Sequence, residues 1–540
     1  MSTSDSPAVR LGRPRLPKLG AASAVRAVPA EVWILAALTV LAAVIRIITI
    51  DNQSLWADEA LTAYEARLPF GAMLNTVAQV ETTPPLYFVL IWAWGHVFGT
   101  GAVALRSVST LAGIAMVPLA YLAARELVSR RAGVIAAALV AVNPFLIWYS
   151  QEARAYMLLA ALTGASFLWF IRARRDLSRR NLAGWTVFSS LALMTHFFAG
   201  FAVAPEALWL LGLGYARAAP GLRRPVALAV GVVAAAQAAM LPFAFLDTSH
   251  GVGWIGAIPR LHRIANTAAE WGVSIFYRRT TVLVSLGGAA ILLAALVFLL
   301  GLGGDGRTRR AAAVGGVITG CVMLIPLALG FLGQDYFVSR NLIGAVIPLV
   351  TILAAACVVP RARVLGGALA VGLLVMFSVA TVRVQTKPYL ERPQWRNVVR
   401  ALGPAAVPRA ILAADGTTAD PLKIYLPHVN WVQARSHRFL ISEVDVVGAT
   451  KRLPLLPGRD RAAALASRHR GRRPVGSSVP VSLAPAGARL LSRVRVNNWI
   501  VARFALAHPV SISINRLDQQ APEYFRRTPN ALMVFIQQRG

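Results

Sequence analysis

Long apolar runs separated by short arginine-rich segments dominate the sequence between residues 32 and 383. A helix of about 20 apolar residues crosses the ~30 Å hydrocarbon core of a bilayer. Eleven such runs occupy residues 32–50, 103–124, 132–148, 155–171, 183–198, 200–216, 226–245, 281–302, 311–332, 342–359 and 364–383. The sequence therefore predicts an α-helical polytopic membrane protein with about eleven transmembrane helices, and counts of twelve or thirteen remain open.

Composition excludes a soluble multidomain enzyme. Only 14% of the residues are charged, whereas a typical soluble domain has about 25%, and the mean hydropathy is +0.59. A net charge of +32 can indicate a nucleic-acid partner, but most of these arginines lie in short clusters between apolar runs. Such clusters orient membrane proteins, so the partner that they indicate is the lipid bilayer and not nucleic acid.

The arginine clusters also predict the orientation of the chain. Cytoplasmic loops are enriched in Lys and Arg, and one crossing per run places every short basic segment on the cytoplasmic side. These segments are 125–131, 172–180, 217–224, 307–310 and 361–363. The scheme requires that residues 85–98 form an interfacial or re-entrant helix, because about 14 residues are short for a crossing. We therefore expect a cell-membrane protein with a cytoplasmic N-terminus, whose residues 1–30 form a disordered basic tail.

Two domains are expected after this tail. Residues 31–384 form the transmembrane domain, in which 51–84 is the first extracytoplasmic loop. The apolar runs become shorter in residues 385–540, which are predicted to form a small extracytoplasmic α/β domain with a flexible insertion at 451–480. A helix is expected at 394–402, and β-rich segments predict strands at 410–414, 494–504, 510–514 and 531–536. Glu443 and Asp445 are interpreted as solvated acids on a further strand.

The most unusual polar group follows the first apolar run, where Asp58 and Glu59 come two residues after Trp56. At a membrane surface, burial and a neighbouring carboxylate raise the pKa of one member of such a pair, which suits a general base. The alternative is structural, because acidic side chains also stabilise the N-terminus of a helix. Both interpretations stay open from the residues alone.

Two prolines at the end of the first loop and several polar residues at the predicted outer ends of other runs are further candidates, because ionisable groups there are expensive and often functional. They are Pro84, Pro85, Glu152, Arg154, Tyr156, His196 and Arg340. Each also has a structural explanation: a turn for the prolines, an interfacial aromatic belt with extended charged side chains, a hydrogen-bonded core histidine, and an arginine that anchors to lipid phosphate. One topology nevertheless places all of them on the face that carries Asp58, which favours a common site.

These motifs together resemble the GT-C membrane glycosyltransferases, in the branch similar to bacterial protein O-mannosyltransferases and lipid A aminoarabinose transferases. The motifs are Trp56-x-Asp58-Glu59, Pro84-Pro85-Leu86, Ser150-x-Glu152-Ala153-Arg154-x-Tyr156, Thr195-His196-Phe197 and Ser339-Arg340-Asn341. The resemblance covers most of residues 32–383 and implies a GT-C-like fold that uses a polyprenyl-phosphate sugar.

The resemblance also implies roles for individual residues. Asp58 is expected to be the base, and Glu59 its support. Arg154 and Arg340 are expected to bind the donor phosphate, and His196 is a weaker site candidate. Some relatives have Lys or His where this chain has Thr83, so one phosphate contact is missing or comes from Arg106 or another base.

The expected donor agrees with the predicted topology. Nucleotide sugars are cytosolic, so a sugar used at an outward-facing site has to arrive on a lipid. The expected acceptor is an envelope glycan, glycolipid or protein. Transfer requires a base and cations near the departing phosphate; no cofactor is firmly implied, and a divalent metal has no compact ligand cluster in the sequence to support it.

Two other functions remain as alternatives. A transporter or flippase of a lipid-linked saccharide is expected to have polar or broken helices near the bilayer midplane. A non-catalytic envelope assembly protein is expected to use residues 385–540 to bind a partner. Loss of glycan transfer on Asp58→Ala at a normal membrane level distinguishes the glycosyltransferase from both.

Overall fold

The computed structural model describes residues 29–216, 220–246, 253–256, 258–273, 282–387, 392–414, 419–429, 435–449, 479–497, 499–526 and 532–539. The predicted tail at 1–30 lies outside these residues except at its last two positions. The predicted insertion at 451–480 lies outside them except at 479 and 480.

Helices make up the first part of the chain. The first nine are α1 (Ala30–Ile48), α2 (Ala57–Glu65), α3 (Phe70–Val80), α4 (Leu86–Phe98), α5 (Ala102–Leu127), α6 (Arg130–Val142), α7 (Pro144–Ser150), α8 (Tyr156–Arg175) and α9 (Arg179–Thr195). The next eight are α10 (Gly200–Ala216), α11 (Pro220–Leu246), α12 (Gly253–Gly256), α13 (Arg260–Val273), α14 (Val282–Phe298), α15 (Gly306–Leu329), α16 (Val346–Cys357) and α17 (Arg363–Thr386). Short 3₁₀ turns at Phe197–Ala199, Gly330–Leu332, Ser339–Ala345 and Pro360–Ala362 and a π-helical turn at Leu299–Gly303 extend several of them.

Within the described residues, nine helices are long and apolar enough to cross a membrane. The number becomes ten if α6 and α7, which meet at an angle of 58°, form one broken crossing. Asn143 and Pro144 cause the break, because proline has no N–H to continue the α6 ladder and the Asn143 side chain caps α7 by accepting from Leu146 N at 3.0 Å. The chain is a multi-pass membrane protein.

The difference from the expected eleven comes from α9, whose 17 residues begin with Arg179 and Arg180 and which is not among the candidate crossings. The helix predicted at 85–98 is present as α4, which has 13 residues. It is apolar but too short to be a candidate crossing, as the topology requires.

Three of the basic segments lie together at one end of the helices. Arg172 Nη2 is 2.6 Å from Glu126 Oε1, and Arg307 Nη1 donates to Val128 O at 3.4 Å. These contacts join the ends of α5, α8 and α15. The positive charges of the segments 125–131, 172–180 and 307–310 therefore share one end of the bundle.

The C-terminal domain is an α/β unit, as predicted. Its strands β1 (Arg409–Ala413), β2 (Arg438–Ala449), β3 (Ala488–Val496), β4 (Trp499–Ser513) and β5 (Met533–Gln537) form one sheet in the order β3-β4-β2-β1-β5. β1 and β2 are parallel, and the other pairs are antiparallel. The helices are α18 (Trp395–Leu402), α19 (Pro421–Tyr425) and α20 (Ile514–Tyr524).

Two details of this domain differ from the sequence prediction. The single strand expected at 494–504 is wrong, because the chain turns between β3 and β4 with Asn497 at a φ of 51°. Glu443 and Asp445 do lie on a strand, but they are buried and not solvated. Asp445 accepts from Arg409 at 2.8 Å and Glu443 from Arg503 at 2.7 Å. A buried carboxylate needs such a partner, so this charged group holds the sheet together.

Candidate active site

The start of α2 places the side chains of Asp58 and Glu59 in different surroundings. Trp56 is the N-cap of α2, and its backbone N–H donates to Glu59 Oε2 at 3.3 Å. The first N–H groups of a helix have no partner within it and favour a nearby carboxylate. Glu59 turns inward and is fully buried, whereas the Asp58 side chain, one residue earlier, is 36% exposed. The structural alternative of helix capping thus applies to Glu59.

Glu59 is the centre of a buried ion cluster. Arg106 donates to its two carboxylate oxygens, each at 2.7 Å. Arg392 donates to Oε2 at 3.1 Å, and the backbone N–H of Ala153 donates to Oε1 at 2.9 Å. Burial raises the pKa of Glu59, but Arg106 and Arg392 outweigh burial and hold it below its usual value. Glu59 is therefore ionised and fully engaged by protein donors.

Arg106 has no donor left for a substrate phosphate. A guanidinium has five N–H groups, and all five are used here. Besides the two bonds to Glu59, they reach the carbonyl oxygens of Ile50 at 2.9 Å, Gln53 at 2.8 Å and Ser54 at 3.1 Å. This geometry does not support the hypothesis that Arg106 supplies the missing phosphate contact, because it holds the first loop onto α5.

Glu152 is the second acidic member of this cluster. Its Oε2 accepts from Arg392 Nη2 at 2.6 Å, whereas its Oε1 has no hydrogen-bond partner among the described residues. Burial raises the pKa of Glu152 to about 7; Arg392 lowers it, and Glu59 adds to the increase. Glu152 therefore changes its protonation state near neutral pH and has one carboxyl oxygen without a protein partner among the described residues.

Arg154 is already paired with an acid. Its two terminal nitrogens donate to the carboxylate oxygens of Glu81 at 2.6 and 2.7 Å, and its guanidinium lies 5.7 Å from the Phe88 ring centre. Both charges are almost completely buried. A donor phosphate that binds Arg154 has to compete with Glu81 for a two-bond interaction.

Arg340 and Asp58 form a charged pair that is more accessible than the ion pairs of Glu59, Glu152 and Arg154. Arg340 Nη1 is 4.0 Å from Asp58 Oδ2, and the two side chains are 16% and 36% exposed. The Arg340 guanidinium lies 5.4 Å from the ring centre of Tyr156. Arg340 is the second residue of the Ser339–Ala345 turn. Its contact with Asp58 brings together residues that are about 280 positions apart in sequence.

His196 lies behind Tyr156, with ring centres 5.9 Å apart. It is buried, and its Nδ1 accepts from Phe198 N at 3.3 Å. Burial, followed by the charges of Arg154 and Arg340, lowers the pKa of His196 to about 3. The ring is therefore neutral at physiological pH and caps the 3₁₀ turn before α10.

The two prolines lie in the turn between α3 and α4. Pro85 is the N-cap of α4, and the turn holds Glu81 where it meets Arg154. Thr83 is buried, and its hydroxyl has no hydrogen-bond partner among the described residues. The prolines thus position an acid that controls Arg154.

Two site residues were not identified from the sequence. Arg392 follows the last membrane helix, and Glu270 lies on α13, an amphipathic helix without a long apolar run. Glu270 accepts from the Ser339 hydroxyl, and Trp271 Nε1 donates to Ser339 O at 3.3 Å. These bonds fix the segment that carries Arg340. The available sequence signal for Glu270 was a single acid between Ala269 and Trp271.

An open cavity of about 610 Å³ lies beside the first loop. Its walls come from the end of α4, the start of α5 and the C-terminal domain, and its lining is mostly apolar, with Trp94, Phe98, Asp51, Arg396 and Tyr425 among the residues. The Tyr425 hydroxyl accepts from Leu55 N at 2.8 Å, so one wall also supports the loop of Asp58. The described part of the chain contains no group of three or more His, Cys, Asp or Glu side chains arranged to hold a metal ion.

A family model described as dolichyl-phosphate-mannose-protein mannosyltransferase matches residues 82–243. The resemblance expected from the motifs is confirmed over these residues. They include the prolines and the Glu152, Arg154, Tyr156 and His196 positions, whereas Asp58, Glu59 and Arg340 lie outside the matched range. The family named by this description consists of glycosyltransferases.

The fold has likenesses among solved structures. ArnT from Cupriavidus metallidurans in the apo state is 14% identical, with 88% of this chain and 98% of that chain covered and a TM-score of 0.49. The Archaeoglobus fulgidus oligosaccharyltransferase in complex with Zn and sulfate is 17% identical, with 68% and 54% covered and a TM-score of 0.40. The S. cerevisiae Pmt1–Pmt2 protein O-mannosyltransferase bound to the sugar donor is 17% identical, with 41% and 34% covered and a TM-score of 0.33.

The chain thus spans about a third of the yeast chain and about half of the archaeal chain. No curated protein matches it.

Proposed function

We propose that this protein is a glycosyltransferase that moves a sugar from a polyprenyl-phosphate donor to a cell-envelope acceptor on the outer face of the membrane. The observation that carries the proposal is the accessible pair of Asp58 and Arg340. A carboxylate that can act as a base and a cation that can bind phosphate lie about 4 Å apart, at the end of the bundle opposite the basic segments 125–131, 172–180 and 307–310. The family match at 82–243 adds support, because its description names a lipid-phosphate-linked mannose as donor.

The pair supplies what the reaction requires. The Asp58 carboxylate takes the proton of the acceptor hydroxyl as the acceptor oxygen bonds to the anomeric carbon. The bond between that carbon and the phosphate oxygen breaks, and polyprenyl phosphate leaves with the bonding electrons. Arg340 stabilises the charge that develops on the phosphate, which is the usual role of a fixed cation at a leaving group.

The other predicted site residues receive graded roles. Glu59 supports Asp58 by fixing the start of α2. Arg154 is a second phosphate ligand that acts only when it leaves Glu81, and Tyr156 forms the wall below Arg340. His196 shapes this wall and is not an imidazolium acid at physiological pH, because its ring is neutral.

The proposed acceptor reaches the site from the side of the C-terminal domain. The cavity of about 610 Å³ falls within the range of roughly 300–1,000 Å³ found for small-molecule sites. Its lining is apolar near the first turn of α5, where a crossing begins, and charged where Arg396 pairs with Asp51 at 2.8 Å. Such a cavity suits an acceptor that is attached to the membrane.

Transfer assays test the proposal directly. Purified protein in nanodiscs is mixed with polyprenyl-phosphate-[¹⁴C]mannose and envelope fractions from a deletion strain, with other polyprenyl-phosphate sugars tried in parallel. We expect Asp58→Asn to lower turnover about 100-fold or more, the usual scale for loss of a positioned base, while donor binding remains. Asp176→Asn, an exposed carboxylate at the other end of the bundle, is the matched control and should leave turnover unchanged. Normal transfer by Asp58→Asn would exclude this residue as the base.

The orientation is tested separately. Reporter fusions after Arg180 and after Gln385 should report opposite sides of the membrane, with the second outside the cytoplasm. Two reporters on the same side would exclude the proposed topology. A protein that exports lipid-linked sugar without transferring it would instead indicate the transporter alternative.

A further inference from the structure

Residues 392–396, called the strap here, include the start of α18 and lie against the first loop. The Arg392 backbone N–H donates to Gln53 Oε1 at 3.0 Å. Ser54 is bound twice, since its hydroxyl donates to Gln394 Oε1 at 3.3 Å and accepts from Arg396 N at 3.1 Å. The loop that presents Asp58 is thus held by a segment more than 330 residues further along the chain.

The Arg392 side chain continues this contact into the ion cluster. Its Nη1 donates to Glu59 at 3.1 Å and its Nη2 to Glu152 at 2.6 Å. The guanidinium lies 4.4 Å from the Trp148 ring centre and 5.7 Å from that of Trp56. A planar guanidinium can join two carboxylates and pack against aromatic rings at the same time, which an ammonium does less well. Arg392 therefore links α2, the 151–155 turn and the strap through one buried side chain.

We propose that Arg392 is a positioning residue that sets the place of Asp58 through Glu59, so that the C-terminal domain is an integral part of the catalytic site. The proposal rests on the glycosyltransferase function proposed above. Asp58 and Glu59 are consecutive on the first turn of α2, so a displacement of Glu59 moves Asp58 with it. A misplacement of about 1 Å at a reacting centre can lower the rate roughly 100-fold.

Arg392 also controls the charge that faces the site. Glu152 is surrounded by Arg392, Glu59, Arg340 and Asp58, and of these Arg392 contributes most to lowering its pKa. Removing the Arg392 charge therefore raises the pKa of Glu152 above about 7. The protonation change of Glu152 then occurs at higher pH, and a pH profile of turnover that depends on it moves in the same direction.

The experiment compares Arg392→Gln and Arg392→Lys with the control Arg400→Gln, which changes an exposed arginine on α18. Full-length proteins in nanodiscs are examined by hydrogen exchange of a peptide covering residues 51–62 and by donor kinetics. We expect Arg392→Gln to lower kcat about 100-fold with KM for the donor changed less than about threefold. Hydrogen exchange of the peptide should be faster in Arg392→Gln than in the wild type. Arg392→Lys should be intermediate between these two proteins in both kcat and exchange, and Arg400→Gln should match the wild type.

Two outcomes would overturn the proposal. One is a folded Arg392→Gln protein with wild-type kcat and exchange. If that variant does not fold, Arg392→Lys decides: wild-type kcat and exchange overturn the proposal, whereas reduced kcat with faster exchange supports it. Because the exchange measurement needs no sugar transfer, a protein without transferase activity would still show whether Arg392 holds the loop.

Discussion

Asp58 and Glu59 are consecutive carboxylates, and their surroundings differ in almost every respect. Glu59 is fully buried and accepts from two arginines and two backbone amides. Asp58 is 36% exposed and has Arg340 at 4.0 Å. A buried charge that lacks a partner is very unfavourable, so Glu59 is committed to the fold. Asp58 can exchange its partner for a substrate, and the difference shows why the more accessible pair is the better candidate for chemistry.

Among the predicted effects on stability and binding, the largest is the loss of unfolding free energy when Glu59 is replaced. Glu59→Gln leaves Arg106 buried without its counter-charge and Arg392 with Glu152 as its acidic partner, which should destabilise the protein by about 3–5 kcal/mol. Denaturant unfolding in detergent micelles measures the loss. Asp58→Asn is the matched control and should unfold like the wild type. Equal stability of the two variants would remove the distinction between a structural and a reactive carboxylate.

Glu152 should produce the next largest effect, seen as a dependence of stability on pH. Burial raises its pKa from 4.5 to about 7, so between these values the folded state binds more protons than the unfolded state. Stability from this group therefore falls as pH rises from about 4.5 to about 7, by up to about 3 kcal/mol. Unfolding at pH 5 and pH 7 should show the fall in the wild type and a smaller one in Glu152→Gln. An identical slope in both proteins would contradict it.

Arg340 and Arg154 should differ in their effect on donor binding, because only Arg154 is paired with a buried acid. Arg340→Ala should weaken binding of a polyprenyl-phosphate sugar about 100-fold, which corresponds to about 2.7 kcal/mol, and Arg340→Lys should restore only part of it because a two-bond contact is lost. Arg154→Ala should mainly lower stability, because Glu81 is left buried without a partner. Titration with the donor in nanodiscs separates the effects. Unchanged donor affinity in Arg340→Ala would exclude Arg340 as a phosphate ligand.

The smallest effect is expected at an exposed ion pair. Asp51 and Arg396 are 2.8 Å apart with side chains 50% and 30% exposed, and pairs of this kind contribute about 0–1 kcal/mol. Asp51→Asn should therefore change the unfolding free energy by less than about 1 kcal/mol, most visibly at low salt. A larger loss would show that the strap depends on this pair as well as on Arg392.

Much of the fold could be predicted because a membrane helix depends on the apolar residues of its own segment. Runs of apolar residues and arginine clusters gave the helices and the non-crossing α4. Two features escaped this reasoning. The broken α6–α7 crossing depends on Asn143 and Pro144 inside an apolar run, and α13 is amphipathic, so its buried Glu270 is not marked by a long apolar run.

The candidate site was predictable in its members but not in their partners. The motifs identified Asp58, Glu59, Arg154 and Arg340, yet ion pairing between residues more than 70 positions apart leaves no local pattern. The bond from Arg154 to Glu81 and that from Arg392 to Glu59 are of this kind. Pairing decides which charges are available to a substrate, so the roles of these arginines could be refined only with the structure.

The strap has a consequence for the synthesis of the protein. Arg392 joins the chain 333 residues after Glu59, an interval on the order of 20–70 s at about 5–20 residues per second. During that interval the strap is missing, and Glu59 is held by Arg106 and by the Ala153 N–H. The loop is locked only after the last membrane helix has been inserted and the following segment has reached the same side. A chain that stalls before residue 392 therefore carries the motifs of the site without its final geometry.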